Sequence, residues 1–233
     1  MTSCFYGRFR ITSPRGYRNI GAGREYHGGL DIVAMDDMQV RAIADGKVHT
    51  LSEPNGFGTY IRQTIYDGIR VYYGHMSKWL VPNGEYVHKG DVIGIMGSTG
   101  RSTGAHTHIE LRVAGTSKNS LDIAEFCGID NAIGLYCYYP ADTCADKLCA
   151  CAGLDNNTRA YLLSYPYAED LVNKLYTGMC RASGKVGTGV AYDCACKVQD
   201  KCGLSKATMD YLWDYKYADA LMVKLWARWR ERR

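Results

Sequence analysis

The stretch Ser98–Arg112, STGRSTGAHTHIELR, holds the residue types best suited to chemistry. A Gly-rich turn leads into His-Thr-His and then into the alternating run Ile109-Glu110-Leu111-Arg112. Side chains two apart on an extended strand share a face, so His106 and His108 project together. Two imidazoles on one side of a rigid strand make half of a metal or acid/base site. All six histidines lie in the first half of the chain. His27 opens HGGLD, with Asp31 four residues on, and His75 sits in YYGHMS. These four histidines and Asp31 neighbour glycines, where the backbone turns tightly and crowds polar groups into one cleft. His49 and His88 stand alone and read as surface or core residues.

The chemistry that fits is a catalytic zinc site. Zinc takes nitrogen or carboxylate ligands, three of them from protein, and leaves a fourth position for water. The ion acidifies that water and polarises a carbonyl under attack. Two His and one Asp satisfy the count, and further histidines can take a proton or stabilise an oxyanion. Spacing leaves open which of the four histidines are ligands, because H-x-x-x-D and H-x-H are each weak signals alone.

The elements that must position this set read as short strands. Phe9–Ser13 opens the chain and stops at Pro14. Gln39–Ala44 and Lys47–Leu51 flank Asp45-Gly46, and Thr59–Tyr66 and Ile69–Tyr73 flank Asp67-Gly68, two hairpin signals. Val92–Met96 and Thr107–Val113 complete at least seven strands, with a helical turn expected at Ser77–Leu80. Asp36-Asp37 reads as a solvated turn, since adjacent strand residues point to opposite faces.

The sequence in this half resembles the lysostaphin/LytM-type zinc endopeptidases of peptidoglycan. The resemblance rests on ITSPRGYR (Ile11–Arg18), YHGGLDI (Tyr26–Ile32), ADGKV (Ala44–Val48), YYGHMS (Tyr72–Ser77), V-x-K-G-D-V-I-G (Val87–Gly94) and STGRSTGAHTHIELR, in the family's order. It implies that His27, Asp31 and His108 bind one zinc ion per catalytic domain. It also implies that His75 and His106 are the catalytic pair that positions or deprotonates the attacking water. The implied reaction is hydrolysis of a peptide bond in the stem or cross-bridge of peptidoglycan. Ala105, Thr107 and His88 depart from residues common in the family and bear on substrate fit.

The second half carries a tandem repeat with an offset of about 50 residues. Gly153–Tyr176 aligns without gaps on Gly203–Trp226, pairing Tyr161/Tyr211, Leu162/Leu212, Tyr165/Tyr215, Tyr167/Tyr217 and Leu171/Leu221. Leu204, Thr208, Tyr211/Leu212, Tyr215, Ala218, Leu221 and Leu225 follow a helical period. Asp155 and Ser205 are N-cap residues in register, and Pro166 predicts a break that gives two short helices per copy. The leucines read as core. Tyr161, Tyr165, Tyr167, Tyr211, Tyr215 and Tyr217 are candidate wall-binding rings that would stack on sugars.

The fold class is therefore α+β and multidomain: a mainly antiparallel β metallopeptidase domain (1–116), a linker (117–142) and two small helical repeats (143–180 and 193–233) joined by a second linker (181–192). Duplicated modules behind a lytic domain resemble the wall-targeting tails of bacteriophage lysins, where two weak sites raise avidity on a repeating polymer. The net charge of +4 is mild, favouring anionic wall polymers over nucleic acid as partners. No apolar run is long enough to span a membrane, and the N-terminal MTSCFYGRFRI lacks a secretory signal. That combination fits an endolysin held in the host bacterial cytoplasm and released to the wall through a holin, or a virion-associated lysin. The alternative is a catalytically silent wall-binding or virion structural protein. Of ten cysteines only Cys4 precedes Cys127, and reduced structural thiols are expected.

Overall fold

A computed structural model describes residues 2–20, 23–66, 68–114, 120–181 and 191–231. None of the helices among them is long and apolar enough to cross a membrane. The chain divides into two compact units, Thr2–Gly134 and Leu135–Arg233.

The first unit is built from β1 (Gly7–Ser13), β2 (Gly16–Ile20), β3 (Gly23–His27), β4 (Leu30–Ala34), β5 (Gln39–Arg41), β6 (Gly46–Glu53), β7 (Gly58–Tyr66), β8 (Ile69–Met76), β9 (Lys78–Trp79), β10 (Tyr86–Val87), β11 (Val92–Ile95), β12 (Thr107–Val113), β13 (Ser120–Leu121) and α1 (Ile123–Cys127). Strands run side by side in the order β10-β6-β7-β8-β12-β4-β1, with β13 against β12. The pairings are antiparallel. β1 alternates buried and exposed positions, the period-2 signature of a strand with one face on the core. Its Phe9 and Ile11 pack in a core that includes Leu30, Ile61, Val71, Tyr73, Ile93 and Ile109.

β7 and β8, the strands expected on either side of Asp67-Gly68, pair antiparallel, while Asp67 itself lies outside the described residues. Asp45-Gly46 does not make a hairpin. β5 pairs with β11 in a separate three-stranded sheet, whereas β6 pairs with β7 and β10. The Asp45 carboxylate accepts the Lys89 N–H at 2.7 Å, and Gly90 N–H donates to Ala42 O. The turn chemistry is spent on a passage between sheets. Within Ser77–Leu80, likewise, there is no helix, and Lys78–Trp79 form the short strand β9. The edge of β11 captures it, with Ser77 N–H donating to Ile95 O and Leu80 N–H to Ile93 O.

The first unit continues past residue 116. Leu121 pairs with Leu111, Thr2 N–H donates to Cys127 O at 2.7 Å, and Arg15 N–H donates to the Asn131 side chain at 2.9 Å. Within the expected linkers, residues 117–119 and 182–190 lie outside the described residues.

In the second unit β14 (Gly134–Tyr138) leads to α2 (Ala141–Ala152), α3 (Asn156–Leu163), α4 (Ala168–Arg181), α5 (Ala191–Cys202), α6 (Lys206–Trp213) and α7 (Ala218–Glu231). Sequence periodicity anticipates α3/α4 and α6/α7 but not α2 and α5. Asp155 and Ser205 accept hydrogen bonds from the backbone N–H of Thr158 and Thr208, capping α3 and α6. The chain breaks at Ser164–Tyr167, and again at Asp214–Tyr217 without a proline. Leu148, Leu162, Leu171 and Leu175 share one core with Val198, Leu212, Leu221 and Leu225.

Candidate metal centre

Three neighbouring strands and one turn bring the polar set together. In the β4–β12 pair, Asp31 lies directly opposite His108. Facing residues of antiparallel strands have Cβ atoms about 5 Å apart, close enough for both side chains to reach one point. β3 ends at His27 and β4 begins at Leu30, so the Gly28-Gly29 turn folds His27 back over Asp31. β8, the other neighbour of β12, carries His75 near its end. His106 forms a lone bridge with Gly97 just before β12.

Three atoms converge. His27 Nε2 lies 3.1 Å from Asp31 Oδ1 and 3.0 Å from His108 Nδ1, and His108 Nδ1 lies 2.9 Å from Asp31 Oδ1. Among the described residues this is the one group of three suited to hold a metal ion. The opposite ring nitrogens are already committed. His27 Nδ1–H donates to Pro14 O at 2.9 Å and His108 Nε2–H to Glu110 Oε2 at 3.1 Å. Those bonds set the tautomers so that two imidazole lone pairs and a carboxylate oxygen face one another. Such a set is mutually repulsive until a cation sits among it. Zinc fits: ligands at its usual distances form a tetrahedral edge of about 3.3 Å, near the observed spacings.

The electrostatics agree. Burial opposes ionisation of Asp31, but the adjoining His108 and His27 rings outweigh it and hold the carboxyl well below its ordinary range. Burial also pushes the His108 pKa down, yet the nearby carboxylates of Asp31 and Glu110 prevail and raise it. Arg18 takes the second oxygen of Asp31, with Nη1 3.0 Å from Oδ2, leaving Oδ1 for the cluster. Arg18 closes the motif ITSPRGYR, but nothing in the spacing of that motif points to Asp31.

The other two histidines stand beside this triangle. His106 Nε2 is 3.6 Å from Asp31 Oδ1, and its Nδ1 lies 2.8 Å from Gly104 O. His75 Nδ1 lies 2.8 Å from Thr99 O, and the two rings are 4.6 Å apart. Both Nδ1 atoms are thus donors, which leaves each Nε2 with a lone pair. His75 has φ of 62°, a left-handed conformation that costs a non-glycine residue about 1 kcal/mol or more. Its N–H bond to Phe57 O at 2.7 Å holds it there. Burial lowers the His75 pKa, against its bond to Thr99 and helped by repulsion from His106.

Residues 25–120 match the model of peptidase family M23. This segment is an M23-family peptidase domain. The chain is 38% identical over 117 residues to the DD-carboxypeptidase/endopeptidase Mpg of Neisseria meningitidis, covering 49% of this chain and 27% of Mpg. It is 37% identical over 109 residues to the peptidoglycan DD-endopeptidase ShyC of Vibrio cholerae, covering 46% of this chain and 25% of ShyC. The chain thus spans about a quarter of the length of these curated relatives. Among solved structures, the catalytic domain of lysostaphin from Staphylococcus simulans is 32% identical, with a TM-score of 0.45, over 53% of this chain and 92% of that one. All five residues of the His/Asp set fall inside the M23 segment.

The six tyrosines singled out in the second half are placed differently. Four of them stack on one another in succession: Tyr165 on Tyr211 at 4.4 Å, Tyr211 on Tyr161 at 4.7 Å, and Tyr161 on Tyr215 at 4.4 Å between ring centroids. Tyr161 and Tyr211 each donate a hydroxyl to the other's backbone carbonyl. Tyr167 and Tyr217 sit at the two ends of the row, 70% and 52% exposed.

Proposed function

We propose that the chain is a zinc-dependent endopeptidase that cuts peptide bonds in the stem or cross-bridge of bacterial peptidoglycan and acts as a cell-wall lysin. The observation that carries the reading is the triangle of His27 Nε2, Asp31 Oδ1 and His108 Nδ1, with two further imidazoles offering Nε2 beside it. The named activities of Mpg and ShyC support the substrate class.

His27, Asp31 and His108 would hold the ion, which supplies a Lewis acid for the scissile carbonyl and lowers the pKa of water. His106, anchored through Nδ1 on Gly104 O, takes the proton of the attacking water on Nε2 and returns it to the leaving amine. His75, kept neutral by burial, accepts a hydrogen bond from the water on Nε2 and orients it. Arg18 keeps Asp31 turned so that one oxygen faces the ion.

The helical unit is read as a tandem repeat that binds the wall. Helices of 12, 8 and 14 residues recur in the same order 50 residues later, which supports a duplication. Tyr167 and Tyr217, with free ring surface, are the candidates for sugar stacking. A lytic domain joined to such a pair supports a bacteriophage lysin released through a holin.

The test is turbidity clearance of purified cell walls by the full chain. Clearance that stops with a chelator and returns with zinc supports the reading. Binding without cleavage in either condition overturns it.

A further inference from the structure

Beyond the metal ligands, β12 carries Glu110 and Arg112 on the face that presents His108. Glu110 is only 3% exposed, and its carboxylate serves two neighbours, with Oε2 shared by both. Oε2 lies 3.1 Å from His108 Nε2, while Arg112 Nε and Nη2 donate to Oε1 at 2.8 Å and Oε2 at 2.9 Å. The guanidinium in turn lies against two rings, 4.7 Å from the Tyr72 centroid and 5.0 Å from Phe57. The Phe57 ring also packs 5.5 Å from His108.

We propose that Glu110 and Arg112 are positioning residues that fix His108 as the Nε2–H tautomer, so that Nδ1 is the atom offered to the metal. The inference rests on the zinc reading above. A histidine free to rotate or change tautomer presents either nitrogen. A charged acceptor on Nε2 removes that choice, and such outer partners commonly carry about 10–100-fold of metal affinity. A bidentate arginine holds the carboxylate in one plane, and the aromatic faces hold the arginine. The glycines of HGGLD make room for the same device. A Cβ on Gly28 would meet Glu110 Oε1 at 2.4 Å, and one on Gly29 would meet Ile109 O at 2.3 Å and His108 Nε2 at 2.9 Å. HGGLD therefore supplies more than its two ligands: its glycines let β12 bring Glu110 under His108.

A glutamine at 110 cannot reproduce the arrangement. With its carbonyl in the place of Oε2 its amide faces Arg112 Nε–H, and turned over the amide faces both His108 Nε2–H and Arg112 Nη2–H. The test measures zinc affinity of the full chain by competition with a chromophoric chelator, and the His108 tautomer in the metal-free protein by long-range ¹H–¹⁵N correlation. Glu110→Gln and Gly28→Ala are each expected to weaken zinc about 10–100-fold and to populate the Nδ1–H form of His108. Arg112→Lys, which keeps charge but loses the bidentate fork, should fall between them and the parent chain. Unchanged zinc affinity and an unchanged tautomer in folded Glu110→Gln, or in folded Gly28→Ala and Arg112→Lys should Glu110→Gln not fold, overturn the proposal. Failure of the parent chain itself to bind zinc would instead overturn the zinc reading.

Discussion

Two clusters in this molecule gather side chains with polar tips, and they end differently. In the M23 domain four imidazoles and a carboxylate converge, and every outward-facing ring nitrogen is tied to a carbonyl or carboxylate. What remains points inward: lone pairs of His27, His108 and Asp31 about 3 Å apart, with no proton to share among them. In the helical unit four tyrosines converge, and their hydroxyls find partners within the cluster. Tyr215 OH meets Thr158 Oγ1 at 2.9 Å and Tyr165 OH meets Thr208 Oγ1 at 3.3 Å. Nothing is left over. A cluster of chemistry-bearing residues is a site when its geometry leaves unspent capacity, and it is packing when its members satisfy one another.

The sharpest way to break that contrast is to remove a ligand. His27→Ala should lose bound zinc and wall clearance together, read by metal analysis and turbidity. His75→Ala should keep zinc and lose turnover by about 10²-fold, the scale on which a misplaced reactant slows a reaction. Near-parent clearance by His75→Ala would remove it from the chemistry.

The tyrosine row is tested through stability. Tyr215→Ala should destabilise the helical unit by about 3 kcal/mol, as truncation of a buried aromatic does, seen in denaturant unfolding. Tyr167→Ala should change stability by less than about 0.5 kcal/mol and weaken wall binding in a pulldown. Equal stability losses at both positions would erase the distinction between packed and exposed rings.

A smaller effect comes from Thr107, between the two histidines on the opposite face of β12. Its side chain is fully buried and its hydroxyl has no hydrogen-bond partner. Thr107→Val should stabilise the M23 domain by about 1 kcal/mol, read as a rise in Tm, with zinc content unchanged.

The two helix caps give the mildest test. The Asp155 carboxyl is held below its ordinary 3.8 by the Thr158 N–H and hydroxyl. A lowered folded pKa means the cap's contribution is fully present above that unfolded value and is lost as pH falls beneath it. Ser205, at the matching position, does not titrate. Asp155→Ser should therefore flatten the acid limb of helical-unit stability slightly, and an unaltered limb would show that the cap is not its source.

The sequence made parts of this legible and hid others for physical reasons. Period-2 alternation exposes His106, His108, Glu110 and Arg112 as one face of a strand, so the positioning pair was readable there in principle. What alternation cannot show is that Gly28 and Gly29 open the space Glu110 fills, because that contact joins β12 to a turn far earlier in the chain. Asp45-Gly46 misleads because its local turn chemistry serves Lys89 and not a hairpin. Helices α2 and α5, rich in cysteine and alanine, lack the wide leucine stripe that announced their neighbours. The tyrosine pattern was visible, but only the packing of one copy against the other shows that most ring faces are covered.

The central claim is that one zinc ion sits among His27, Asp31 and His108. A crystal structure of the zinc-loaded chain, with anomalous data collected at the zinc edge, tests it most directly. The account predicts a single anomalous peak bonded to His27 Nε2, Asp31 Oδ1 and His108 Nδ1 at about 2.0–2.2 Å. A peak bonded through His108 Nε2, or one lying away from this triangle, would contradict it.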